Sequence, residues 1–378
     1  MHPIQMVDTR SQYVKIKTEV DAAIREVLES SMFIGGRMVE EFRENLSLYN
    51  GSKYVIPCAN GTDALQIAMM ALGLEPGDEV ITPSFTYIAT AEVIALLRLK
   101  PVFVEVDPKT FCVSPDAIEQ AITSHTKAIV PVHLFGQAAD MEAIMKTANR
   151  HNLYVIEDNA QAIGCDYTYS DGTKKKTGSI GTIGCTSFYP SKNLGCYGDG
   201  GAIFTNDETL AIKLKMIANH GQSARYYHDV VGCNSRLDAI QAAVLNIKLK
   251  YLEGYNTARR AAADYYDKCF SGLSDIIVPF RAPYCNHVFH QYTLLLRNSD
   301  RNALNTFLSG HSVPSMIYYP VPAHKQKMFD ASGADILRLP VTDQLSEKVI
   351  SLPMHSELKE EQLDYIINKV SEFFKINP

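Results

Sequence analysis

The chain has 378 residues, 46% hydrophobic and 21% charged, an ordinary balance for a globular enzyme with room for one large domain and a smaller one. Its formal net charge of −6 gives no electrostatic reason to expect nucleic acid or an anionic membrane as a partner. No run of about eighteen apolar residues occurs, and the N-terminus Met1-His-Pro-Ile lacks the basic-then-apolar order of a secretory signal, so a cytoplasmic protein with no membrane span is expected.

Residues 11–30 and 38–49 have the spacing of two amphipathic helices, the second stopped by Asn50-Gly51. From residue 53 to about 206, short apolar runs alternate with helical patterns. Tyr54–Pro57, Val80–Thr82, Val102–Val106, Ala128–Val132 and Tyr154–Glu157 predict buried strands, and stretches near 61–73, 87–98, 114–122 and 140–150 predict the helices between them. Continuous Val/Ile runs separated by helices imply an α/β fold with a mostly parallel sheet covered on both faces. The basic run Lys174-Lys-Lys176 sits in a polar stretch and is expected to be a solvated loop. A long helical pattern runs from Ser235 to about Phe270. Strand-like Ile276–Val278 and Tyr292–Leu296 follow, then helical segments near 300–310 and 358–375. They suggest a smaller α+β C-terminal domain, with a large domain over 1–255 and the small one over 256–378.

The eight cysteines are spread along the chain and never form a Cys-x-x-Cys pair, which argues against zinc and against a disulfide scaffold. His287-x-x-His290 has no companion ligand in a plausible frame, so no metal is expected.

Asn60-Gly-Thr-Asp-Ala-Leu65 follows a strand and opens a helix. A helix N-terminus offers free N–H groups and a positive dipole end, so Gly61 and Thr62 suit a phosphate. Tyr87, just past another strand end, could stack on a flat cofactor ring. Asp158 ends the run Tyr154-Val-Ile-Glu-Asp, and Lys192 closes Thr186-Ser-Phe-Tyr-Pro-Ser-Lys before Gly195-Cys-Tyr-Gly-Asp-Gly-Gly201. A carboxylate at the mouth of a buried strand, with a lysine on a turn braced by proline and glycines, is what pyridoxal phosphate chemistry needs. The lysine carries the aldehyde as a Schiff base, and the carboxylate keeps the pyridine nitrogen protonated.

Asn-Gly-Thr-Asp-Ala-Leu, Thr82-Pro-Ser-Phe-Thr-Tyr87, Glu157-Asp-Asn-Ala-Gln161, Ser187-Phe-Tyr-Pro-Ser-Lys192 and Gly198-Asp-Gly-Gly201 occur in this order. Together they resemble the DegT/DnrJ/StrS family of pyridoxal-phosphate-dependent sugar aminotransferases over essentially the whole chain. The resemblance implies fold type I (aspartate-aminotransferase-like) and a homodimer with shared active sites. It makes Lys192 the Schiff-base lysine and proton shuttle, Asp158 the partner of the ring nitrogen, and Gln161 a neighbour of the ring hydroxyl. Ser187 joins Gly61 and Thr62 around the phosphate, Tyr87 stacks on the ring, and Asn234 reaches the phosphate from the partner subunit.

Cys58–Ile67, Leu194–Asp207, His220-Gly-Gln and Asn234-Ser-Arg-Leu-Asp238 are similar to aminotransferases acting on UDP-2-acetamido-2-deoxy-3-oxo-glucuronate. The donor implied is L-glutamate, and the pathway is bacterial surface polysaccharide (O-antigen) synthesis. Arg236 fits a substrate carboxylate, because arginine binds carboxylates through two parallel hydrogen bonds. Tyr318 and Tyr319 are the other expected substrate contacts, and Tyr318 departs from that subgroup, where histidine is the pattern. The alternative substrate is a neutral dTDP- or UDP-linked 3-oxo or 4-oxo sugar. A sugar dehydratase of the same fold would carry histidine in place of Lys192. A non-catalytic regulatory protein would have no need of Lys192, Asp158, Gln161 and Ser187 together.

Overall fold

The computed structural model describes residues 3–376. The N-terminal part runs α1 (Thr9–Ser30), α2 (Arg37–Asn50), β1 (Tyr54–Cys58), α3 (Gly61–Leu72), β2 (Glu79–Pro83), α4 (Ala89–Leu96), β3 (Lys100–Val104), α5 (Pro115–Ala121), β4 (Thr126–Ile129), α6 (Met141–His151) and β5 (Tyr154–Asp158). Next come β6 (Asp166–Thr168), β7 (Lys174–Lys176), β8 (Ile183–Ser187), β9 (Gly201–Thr205), α7 (Glu208–Ala218), β10 (Gln222–Ala224), β11 (Tyr227–His228), α8 (Ala239–Leu249) and α9 (Leu252–Phe270). The C-terminal part holds β12 (Ile276–Ile277), β13 (Tyr292–Leu296), α10 (Arg301–Gly310), α11 (Pro340–Lys348), β14 (Val349–Leu352) and α12 (Glu360–Ile376).

The main sheet has seven strands in the order β1-β9-β8-β5-β4-β2-β3. Its strands pair in parallel from β3 to β8, and β9 runs antiparallel between β8 and β1. Side-chain alternation divides the core between the two faces. Ile81, Ile129 and Val155 lie in one row and pack with Ile118 and Ile144 of the helices on that side. Their neighbours Val80, Ala128 and Ile156 point the other way, into a core with Leu65, Ile67, Val93 and Leu214. Burial on both faces explains the unbroken apolar runs of these strands. A separate antiparallel sheet, β12-β13-β14, packs Leu294, Leu296, Ile350 and Leu352 against Tyr266, Leu304, Ile366 and Val370.

Two expectations are corrected. The helical pattern over 235–270 is two helices: residues 231–238 run extended beside Asn219, and the chain turns at Lys250-Tyr251 between α8 and α9. Helix α8 belongs to the core around Phe42, Leu46 and Phe204, whereas α9 crosses to the C-terminal sheet, so one straight rod could not serve both. The basic run 174–176 is strand β7 of a hairpin with β6, not a loop. Lys176 pairs with Asp166 at 3.1 Å and lies over the Tyr49 ring.

Candidate active site

Strand register assembles the site. Ser187 at the end of β8 faces Gly201 of β9, and Gly201 faces Cys58 of β1, so the start of α3 lies beside Ser187. The approach is close. A Cβ on Gly61 would stand 2.7 Å from the Ser187 Cβ, and one on Gly201 would stand 2.5 Å from the Asn60 carbonyl. Asn60 caps α3 by accepting the Asp63 N–H at 2.8 Å, and no acceptor among the described residues takes the N–H groups of Gly61 and Thr62. These free N–H groups and the hydroxyls of Thr62 and Ser187 form a donor cradle at a helix N-terminus, which fits a phosphate.

Asp158 ends β5 next to β8, 7% exposed. Its Oδ2 accepts from the Thr90 hydroxyl at 2.7 Å and its Oδ1 from the Ala160 N–H at 3.1 Å. Gln161 accepts the Phe135 N–H at 2.8 Å and donates from Nε2 to the Tyr319 hydroxyl at 3.0 Å. Lys192 is half-buried and closes a turn by donating its N–H to the Tyr189 carbonyl at 2.8 Å, with Pro190 at the second position. Burial lowers its pKa to about 8, an effect that the negative charge of Asp158 partly opposes. Asp158 therefore acts electrostatically on the lysine amine as well as standing at the strand mouth. Burial and the positive charges of Lys192 and Arg259 hold His290 well below the ordinary histidine pKa, so its ring is neutral. His287 is pushed down to about 3 by burial.

Tyr87 lies 57% exposed at the rim, its ring 6.2 Å from that of Tyr319. Tyr319 packs among Phe85, Phe135 and Tyr318. Its hydroxyl accepts the Gln161 Nε2–H. Tyr318 is half-buried, and burial raises its pKa. Asn234 and Arg236 are not brought to Lys192 within the single chain. They alternate with buried Ser235 and Leu237 and face solvent, while the Ser235 hydroxyl accepts the Ala59 N–H at 3.1 Å. Arg236 has no acidic partner among the described residues. Sequence reasoning missed Thr90, whose place in α4 beside Asp158 has no local signal, and Phe135, whose backbone fixes Gln161. It also missed the buried pair below the site. His133 Nε2 meets Glu157 at 2.9 Å, and Glu157 also accepts the N–H groups of Gly178, Ile180 and Gly181.

A carboxylate, a low-pKa amine and a donor cradle at the carboxyl ends of parallel strands fit pyridoxal phosphate. Comparisons with known proteins agree. The chain is 45% identical to the Pleiotropic regulatory protein of Geobacillus stearothermophilus, over 98% of this chain and 99% of that one. It is 46% identical to the UDP-2-acetamido-2-deoxy-3-oxo-D-glucuronate aminotransferase of Pseudomonas aeruginosa, over 94% of this chain and 96% of that one. Its fold matches the crystal structure of NtdA from Bacillus subtilis with bound cofactor PMP at a TM-score of 0.88 and 34% identity, covering 96% of this chain and 82% of that one. No described helix is long and apolar enough to cross a membrane. The model of the DegT/DnrJ/EryC1/StrS aminotransferase family matches residues 14–371, and the chain belongs to this family of pyridoxal-phosphate-dependent sugar aminotransferases.

Proposed function

We propose that this enzyme moves the amino group of L-glutamate to the keto carbon of a UDP-linked 3-oxo sugar, with UDP-2-acetamido-2-deoxy-3-oxo-D-glucuronate as its preferred acceptor. The setting is cytoplasmic synthesis of a precursor for a bacterial surface polysaccharide such as O-antigen. The observation that carries the substrate assignment is Arg236, an exposed guanidinium without a carboxylate partner among the described residues, beside the phosphate-cradle strand. A uronic acid supplies that carboxylate and a neutral 6-deoxy sugar does not. The relatives named for UDP-linked 3-oxo sugars, 46% and 44% identical to this chain, support a UDP-linked 3-oxo acceptor; of these two, the first is named for a uronic acid and the second for a neutral glucosamine.

When bound, the cofactor draws electrons from the carbon that bears the amino group and makes its proton removable. In this reading Lys192 anchors the cofactor and, once released, moves that proton, while Asp158 holds a positive charge at the ring nitrogen. Gln161 borders the ring hydroxyl, Gly61, Thr62 and Ser187 hold the phosphate, and Tyr87 lies against the ring. Tyr318 and Tyr319 border the sugar side. Asn234 and Arg236 complete the site of a second copy in a homodimer. Met32, Phe33 and Ile34 are exposed apolar residues on the segment that bridges to Asp238, next to Arg236, and apolar surface of this kind favours cover by a partner.

The test is turnover with glutamate and a panel of keto-sugar nucleotides. The uronic acid is expected to be preferred over neutral 3-oxo or 4-oxo sugars, and R236A should shrink that preference. Removing one member of a buried charge pair costs on the order of 2–5 kcal/mol, which sets the ceiling on the change. Equal or better turnover of a dTDP-linked neutral sugar would move the assignment to that class, with Tyr318 as the first residue to exchange.

A further inference from the structure

Lys248 of α8 is 1% exposed, and no carboxylate among the described residues pairs with it. Its Nζ donates to the Gly195 carbonyl and lies 5.3 Å from the centre of the Tyr197 ring. A buried ammonium with one carbonyl and one ring face for company is costly, and an apolar side chain of equal length would spare the fold that cost. The charge therefore calls for a reason other than stability.

Its position supplies one. Three alternate residues that follow Lys192 are each tied to α8 or α9. Asn193 donates from Nδ2 to Asn256 Oδ1 at 2.8 Å and to the Val288 carbonyl at 2.9 Å. The Gly195 carbonyl takes Lys248, and the Tyr197 N–H is accepted by Gln241 Oε1 at 2.9 Å. Gly195 is close-packed: a Cβ there would stand 2.5 Å from the Pro190 carbonyl oxygen and 2.7 Å from that of Tyr189. The Tyr189 carbonyl is the one that closes the Lys192 turn. The carbonyls of the turn thus lie against the Gly195 Cα, and a cation that holds the Gly195 oxygen toward α8 fixes the segment on which that turn rests. We propose that Lys248 is a positioning residue for Lys192, retained as a buried cation to hold the turn that aims the Lys192 amine, at a cost in stability. The proposal rests on the reading that Lys192 anchors the cofactor.

The experiment compares wild-type, K248M and K248Q holoenzymes. Melting temperature, cofactor absorbance against pH and the single-turnover rate with glutamate are measured, with KM and kcat separated. K248M is expected to melt no lower than wild type and to lose about tenfold or more in the single-turnover rate with little change in glutamate KM. Its cofactor absorbance should also titrate at a shifted pH. K248Q, which keeps a neutral N–H donor, should recover part of the rate. A K248M enzyme with the wild-type rate and titration overturns the proposal. So does one that fails to fold or loses rate only in step with melting temperature, because Lys248 is then structural. A wild-type enzyme without cofactor absorbance, or K192A with full activity, would instead overturn the reading of Lys192.

Discussion

Gly61→Ala sets two effects of known sign against each other. Gly61 is the first residue of α3 and does not need a positive φ, so alanine there stabilises by roughly 0.4–1 kcal/mol by restricting the unfolded chain. The new Cβ, however, would stand 2.7 Å from the Ser187 Cβ and 3.3 Å from its Cα. Ordinary carbon contacts begin near 3.5 Å, so the first turn of α3 or the end of β8 must yield by nearly an ångström. Ser187 is fixed by the β8–β9 ladder, which leaves α3 to move. Overpacking of this kind costs about 1–3 kcal/mol, which cancels that gain and leaves a net loss of at most about 2.5 kcal/mol, a shift of a few degrees in a chain of this size.

The cradle suffers more than the fold. An ångström of displacement takes a phosphate hydrogen bond of about 2.9 Å beyond the range in which it is one. Each charge-assisted bond of this kind is worth about 1.5–3 kcal/mol, so losing one weakens cofactor binding by roughly 10- to 150-fold. The assay is titration of the apoprotein with pyridoxal phosphate by absorbance, beside a thermal melt. The expected result is a much weaker Kd with a melting temperature within a few degrees of wild type. Unchanged affinity would refute the placement of the phosphate at Gly61, and collapse of the melt would refute the separation of cradle from fold.

The Lys192 amine, with a pKa near 8 rather than 10.5, becomes nucleophilic as it loses its proton. The rate at which apoenzyme takes up pyridoxal phosphate should thus rise with pH to about 8 and level off; a rise continuing toward pH 10 would contradict the depressed value. Asp158→Asn keeps the shape but removes the charge, so single-turnover rates should fall by several orders of magnitude with smaller loss of cofactor binding, and near-normal turnover would mean that another group holds the ring nitrogen. Mixed dimers of K192A with an N234A/R236A double variant should regain activity in one of their two sites. Inactive heterodimers of verified composition, or an active isolated monomer, would refute the shared site.

The fold was legible wherever burial was two-sided. Strands β1, β2, β4 and β5 carry apolar residues on successive positions because both faces of the sheet are covered, and that leaves an unbroken signal. Strands β8 and β9 escaped the same reading. In β8, Gly184 lies against the Gly178 backbone, so close backbone approach takes the place of an apolar side chain; β9 does carry the buried apolar run Ala202-Ile203-Phe204, but it is short and follows directly on the glycine-rich turn. The break between α8 and α9 was equally hidden. No glycine or proline stands at Lys250-Tyr251, and the turn exists because the two helices serve different cores, which is tertiary information.

For the site, the pattern differs by the kind of residue. Lys192, Asp158, Ser187 and Gly61 are tied to turns and strand ends whose chemistry is local, and a motif can carry them. Thr90 and Tyr319 act on Asp158 and Gln161 across 68 and 158 positions of chain, and no spacing rule connects residues that meet only after the sheet is built. Tyr319 was expected near the substrate through the family resemblance, and the contact of its hydroxyl with Gln161 is one that the resemblance did not include. Asn234 and Arg236 make the opposite point. Motif resemblance placed them at a cofactor and a substrate, while the single chain turns both to solvent on a strand whose alternate residues, Ser235 and Leu237, are buried. If they act in catalysis, they act on a neighbouring copy, and that is why the mixed-dimer experiment tests the site more severely than any substitution in one chain.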